Sequence, residues 1–143
     1  MPQIQIEQIR YELTWRIRHA AMYPELDFNV VKLENDSDGM HFGLYADDYL
    51  KSVISIFNEG SVYQFRKFAT LPPVQGQGYG TLLLEHIIDY VRQQGTTLLW
   101  CNARLSVATY YERFGFVRTN KSYKKQDIDF VVMELQLSTE SVC

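Results

Sequence analysis

Gly76, Gly78 and Gly80 alternate with larger residues in the segment Gln75-Gly76-Gln77-Gly78-Tyr79-Gly80-Thr81. Glycine accepts positive φ and lets the backbone come close to a ligand. Successive backbone N–H groups can then point into one concavity. The first turn of a following helix adds N–H groups without intrahelical partners and the positive end of its dipole. Such a turn holds a pyrophosphate without any lysine. Two familiar phosphate loops do not fit. A dinucleotide fingerprint, G-x-G-x-x-G, starting at Gly76 would need a third glycine where Thr81 stands. A Walker loop needs Gly-Lys-Ser/Thr, which is absent. Taken alone, the segment has a competing reading as a glycine-rich turn that binds nothing.

Other chemistry-bearing residues are sparse. Cys101 and Cys143 make neither a disulfide framework nor a zinc site. Cys101 lies in an apolar run and reads as core. His19, His41 and His86 are too scattered for a metal site, so no metal is expected. His86 reads as a surface residue, His41 as structural, and Trp15 and Trp100 as core. The net charge of −3 leaves no basic excess for nucleic acid. No apolar run approaches a membrane span, and no charged-then-apolar leader opens the chain. The expectation is a cytoplasmic protein with neither a nucleic-acid nor a membrane partner.

The elements must carry the turn. With 143 residues, 46% of them hydrophobic, the chain suits one domain, 1–143. Residues 2–6 read as an edge strand. Ile9, Leu13, Ile17 and Ala20 fall at helical intervals and predict a helix over 7–20. Residues 23–38 read as an irregular loop. Strands follow at 40–46 and 49–57, paired as a hairpin through Asp47 and Asp48. A long strand, 61–71, stops at Pro72-Pro73. The clearest helix is 78–94, closed by Gly95. Thr96 to Asn102 reads as a strand buried on both faces. Ser106 N-caps a short helix to Phe114. A strand begins at Phe116, another spans 128–137, and the tail after Ser138 frays. Strand 61–71, helix 78–94 and strand 96–102 form one parallel crossover in a single α/β sheet with helices on its faces.

The stretch from Phe68 to Phe116 resembles the GNAT superfamily of acyl-CoA N-acyltransferases, of bacterial type. The resemblance rests on Phe68-Ala69-Thr70-Leu71-Pro72, then Gln75-Gly76-Gln77-Gly78-Tyr79-Gly80. These match a strand end leading through a (Arg or Gln)-x-x-Gly-x-(Gly or Ala) loop into a helix. A second pattern follows in register: Asn102, Ala108, Tyr110-Tyr111 and Gly115-Phe116. The resemblance implies the GNAT fold, a central mixed, mostly antiparallel sheet of about six or seven strands flanked by about four helices. It implies acetyl-CoA as co-substrate and an amine acceptor, and it admits a homodimer.

The same resemblance implies roles. Phe68, Ala69 and Thr70 would expose backbone groups to the pantetheine arm, with an N–H near Phe68 or Ala69 polarising the thioester carbonyl. Gln75, Gly76, Gln77, Gly78, Tyr79, Gly80 and Thr81 would hold the pyrophosphate through backbone N–H groups. Gln75 stands where the family often has arginine. Asn102 would reach the pantetheine amides, with a strand-terminal turn asparagine as the competing reading. Tyr111 falls at the general-acid position, where a phenol protonates the departing thiolate. A packed aromatic that merely flanks CoA is its alternative. No general base is assigned. Gln64 and Arg66 on the long strand are not carboxylates, and Glu12, Glu34, Asp129 or a water relay stay open. The expected activity is N-acetylation of a small molecule or peptide by direct attack in a ternary complex. A catalytically weak acyl-CoA sensor is the alternative, and a nucleotide-binding interaction module is a third.

Overall fold

The computed structural model describes residues 2–137. Seven strands form one mixed sheet in the order β1-β2-β3-β4-β5-β7-β6. The chain divides into two compact units, residues 1–57 with 66–87, and residues 58–65 with 88–143. The division falls inside strand β4 and again inside helix α2.

The first unit begins with β1 (Ile4–Ile9), α1 (Glu12–Met22), β2 (Met40–Ala46) and β3 (Tyr49–Glu59). β1 runs on to Ile9, and α1 starts five residues later than its apolar spacing predicts. The reason is pairing. β1 is antiparallel to β2 from Ile4↔Ala46 to Ile9↔His41, so ladder bonds claim residues 7–9 before a helix can. The buried face of α1 is Thr14, Ile17 and Arg18, while Leu13 is exposed. β2 and β3 form the expected hairpin. Asp47 and Asp48 both take positive φ, 51° and 72°, as a tight two-residue turn requires. The loop before β2 contains two short 3-10 turns, Phe28–Val31 and Asp36–Asp38. Ile17, Leu50, Val53 and Ala69 make a core cluster, with Ile9, Met22 and Leu71 packed against it.

β4 (Val62–Thr70) and α2 (Tyr79–Gln93) contribute to both units. The second unit is completed by β5 (Leu98–Arg104), α3 (Ala108–Glu112), β6 (Val117–Lys125) and β7 (Ile128–Gln136). β4 pairs in parallel with β5 at Val62–Gln64, the crossover read from the sequence. β5 alternates instead of burying both faces. Leu99, Cys101 and Ala103 are buried, whereas Asn102 and Arg104 are exposed. Trp100 is accordingly only half-buried, and Trp15, on α1, is half-buried too, so neither is core. β5 pairs antiparallel with β7, from Leu98↔Gln136 to Arg104↔Phe130. Ser106 does not cap α3. It lies in a 3-10 turn, Leu105–Val107, and the N-cap residue is Val107, without a side-chain cap bond. The tail after residue 137 lies outside the described residues.

Candidate active site

The turn between β4 and α2 is held from below by side chains. Ser52 Oγ, on β3, donates to the Ala69 carbonyl at 3.1 Å and lies 2.8 Å from Thr70 Oγ1. Leu71 N–H donates to Lys51 O at 2.9 Å. A 3-10 turn, Pro72–Val74, then lifts the chain away, with proline where the missing N–H costs nothing. Gln75 Nε2 donates back to the Thr70 carbonyl at 2.9 Å. The side chain that looked like a lost positive charge therefore braces the turn.

Gly76 and Gly78 take φ of 86° and 89°, and a Cβ added at either meets no atom within 4 Å. Open space above a left-handed glycine is what a backbone cradle requires. α2 begins at Tyr79, directly after the second of them. Gly80 differs. A Cβ there would sit 3.2 Å from Phe68 Cζ and 3.3 Å from Thr70 Oγ1, so this glycine lets helix approach strand. Tyr79 is buried, which leaves its N–H as what it can offer a ligand.

β4 carries a feature with no signal in the sequence. Lys67 has φ of 54° inside the strand. A left-handed non-glycine residue costs about 1–2 kcal/mol and marks a bulge in a strand. Its side chain is anchored, with Nζ donating to Tyr23 Oη at 2.9 Å and lying 5.0 Å from the ring centroid.

In the second unit, Tyr111 projects from α3 into an aromatic cluster. Its ring centroid lies 5.6 Å from Phe65, 5.4 Å from Tyr110 and 6.0 Å from Phe116. Burial raises the phenol well above its ordinary pKa, with Cys101 and Tyr110 adding to the shift. Tyr111 is thus a neutral phenol at neutral pH, with a proton to give. Burial also pushes the Cys101 thiol up to about 12, so it carries no thiolate at neutral pH. Asn102 does not end its strand, because β5 continues through Arg104. The turn-asparagine reading therefore fails, and the side chain stands exposed between buried Cys101 and Ala103.

A profile of the acetyltransferase (GNAT) domain matches residues 17–137. The chain belongs to the GNAT acetyltransferase family. The N-acetyltransferase YitI of Bacillus subtilis is 28% identical over 146 residues, covering 95% of this chain and 98% of that protein. The [ribosomal protein bS18]-alanine N-acetyltransferase of Haemophilus influenzae is 26% identical over 126 residues, covering 83% and 84%. Among solved structures, the ribosomal-protein-S18-alanine N-acetyltransferase from Escherichia coli superimposes with a TM-score of 0.81 at 22% identity, over 97% of each chain. That likeness shows the fold. The family identifies this chain as an acyltransferase of the acyl-CoA-using class.

Within this GNAT chain the carboxylates weighed as bases divide. Glu12 and Glu34 are exposed, and Asp129 pairs with Lys124 at 3.1 Å. Gln64 and Arg66 are half-buried on β4. His41 is not available. Its Nδ1 lies 2.7 Å from Ser55 Oγ and its Nε2 2.8 Å from Asp36 O. The Asp36 carbonyl can only accept, so Nε2 carries the proton of the neutral imidazole and Nδ1 accepts from Ser55 Oγ, which itself accepts from Arg18 Nη2 at 3.0 Å. Arg18, fully buried, makes a two-pronged contact with Asp36 at 2.9 and 3.0 Å and donates to Val31 O at 2.8 Å. Trp15 Nε1 and Leu33 N–H also donate to Asp36. Burial alone would raise the Asp36 carboxyl, but the donors from Arg18, Trp15 and Leu33 outweigh it and hold the pKa below its ordinary value. This cluster was invisible in the sequence, where Arg18 and Asp36 look like ordinary solvated charges.

Proposed function

We propose that this GNAT chain moves an acetyl group from acetyl-CoA to the amine of a small molecule or peptide, in one step within a ternary complex. The observation that carries the reading is the pair of open, left-handed glycines, Gly76 and Gly78, at the start of α2. Backbone N–H groups of Gln75 to Thr81 bind the pyrophosphate. Asn102, exposed on β5, is offered to the pantetheine amides. An N–H at Phe68 or Ala69 polarises the thioester carbonyl.

The neutral amine nitrogen attacks the carbonyl carbon. The C–N bond forms as the C–S bond breaks, and Tyr111 gives its phenolic proton to the departing sulfur. The proton lost by the amine leaves through water and restores the phenol. A Cys101 acyl-enzyme is disfavoured by the same burial that pushes its thiol up to about 12. The names of relatives that modify a ribosomal protein's alanine support including a peptide α-amine among the acceptors tested. Acetyl-CoA as donor favours the cytoplasm as the place of action.

The test is thiol release from acetyl-CoA with a panel of amines and short peptides. Release that depends on both the amine and Tyr111 supports the reading. Tight CoA binding without turnover on a broad panel would favour an acyl-CoA sensor. No binding of CoA would sink both.

A further inference from the structure

Among the described residues, Lys67 is the one with positive φ inside a strand. The others, Asp47, Asp48, Gln126, Asp127 and five glycines, lie in turns. Lysine is not a residue type that relieves left-handed backbone; glycine and asparagine are. Something outside the local sequence must hold Lys67 there.

The side chain of Lys67 makes its contact with Tyr23. Lys67 Nζ donates to its hydroxyl at 2.9 Å, and the ammonium lies 5.0 Å from the ring centroid. Tyr23 is itself fixed. It caps the C-terminus of α1, its N–H donates to His19 O at 3.1 Å, and Pro24 follows. His19 also lies 2.8 Å from Leu26 O and 5.3 Å from the Phe28 ring centroid, so the segment after Tyr23 folds back on the same helix. On its other side, β4 is gripped by Ser52 through Ala69 O. Phe68 therefore lies between two anchored residues, Lys67 and Ala69.

We propose that Lys67 is a positioning residue, a clamp through which Tyr23 at the end of α1 sets the left-handed backbone of β4 and hence the N–H groups of Phe68 and Ala69. The inference rests on the acyl-transfer reading for its catalytic consequence only. The clamp couples the segment after α1 to the strand end that meets the thioester. Loosening Tyr23 then disturbs turnover more than CoA affinity.

The test uses the full chain with Tyr23→Leu, Lys67→Met, their combination, Lys67→Ala and Lys67→Gly. Amide hydrogen exchange is followed at residues 67–70, and kcat and KM are measured with acetyl-CoA and an amine accepted by the wild type. Tyr23→Leu and Lys67→Met each speed exchange at Phe68 and Ala69 by roughly tenfold, as a local opening would. Each lowers kcat about five- to tenfold with KM for acetyl-CoA within about twofold, and the double variant is no worse than the singles. Lys67→Gly, which adopts positive φ freely, keeps more turnover than Lys67→Ala. Unchanged exchange at Phe68 and Ala69 in Tyr23→Leu overturns the proposal, as do additive effects in the double variant. Calorimetric CoA binding by the wild type judges the acyl-CoA reading separately, since the exchange measurements need no turnover.

Discussion

The Arg18–Asp36 cluster and the Gln75–Thr81 turn belong to the same unit and are opposite in what their polar groups meet. In the cluster, the Asp36 carboxylate receives donors from Arg18, Trp15 and Leu33, and both nitrogens of His41 are engaged. Apart from Arg18 Nε, which is buried without a hydrogen-bond partner, these side-chain groups are spent within the cluster, and it holds α1, the loop before β2, and β3 together. In the turn, two glycines face open space. The Gln75 side chain points back to Thr70 rather than outward. A fold stabilises itself where polar groups close on each other and can bind a ligand where they are left facing solvent.

The largest effect expected from breaking this comparison lies in the closed cluster. Asp36→Ala leaves the Arg18 cation buried without its counter-ion and should cost about 3–5 kcal/mol in urea unfolding. Arg18→Met with Asp36→Asn together should cost less than Asp36→Ala, because no unpaired charge remains. In the open turn, Gly78→Val should cost about 1–2 kcal/mol of stability, for its backbone strain, and weaken CoA by roughly 100-fold in calorimetry, about 2.7 kcal/mol. A β-branched residue is strained at φ of 89° and fills the cradle. If Gly78→Val bound CoA normally, the turn would not be the phosphate site. Tyr111→Phe should lower kcat by about 100-fold while CoA affinity holds. Equal loss in both would make Tyr111 a packing residue.

Smaller effects sharpen the contrast. Burial lowers the pKa of His41 below its ordinary 6.5, with Arg18 also opposing its charge and Asp36 and Glu12 only partly offsetting. The stability from keeping His41 neutral is present above about pH 6.5 and is lost as pH falls through the lower native value. His41→Gln should remove up to about 1.4 kcal/mol per pH unit from that acid-side slope in thermal melts. Wild type and variant giving parallel slopes would show that His41 does not titrate with unfolding. Gln75→Ala should be the mildest, about 0.5–1 kcal/mol, seen as CoA binding weaker by two- to fivefold.

Much of the architecture was legible because it depends on local pattern. The β2–β3 hairpin, the β4-α2-β5 crossover and the glycine turn follow from alternation, turn residues and periodicity. The misplaced start of α1 has one cause. Ile9 satisfies both a strand and a helix pattern, and pairing with His41 decides between them. β5 looked buried on both faces because leucine and tryptophan can face either side, and only its neighbours reveal the alternation. Arg18, Asp36, His41 and Ser55 are scattered across the chain and show no spacing that could have joined them.

By itself the sequence determined the glycine turn, its register with Tyr111, and through these the acyl-CoA family. Glycine spacing and turn chemistry are local properties of the backbone, so they survive being read as text. Tertiary structure alone decided that the Gln75 side chain bonds back to Thr70, that Gly80 packs while Gly76 and Gly78 stay open, and that Lys67 is left-handed and bonded to Tyr23. Each depends on an atom five or more residues away, and the distance between such atoms is set by the fold and not by the order of the residues.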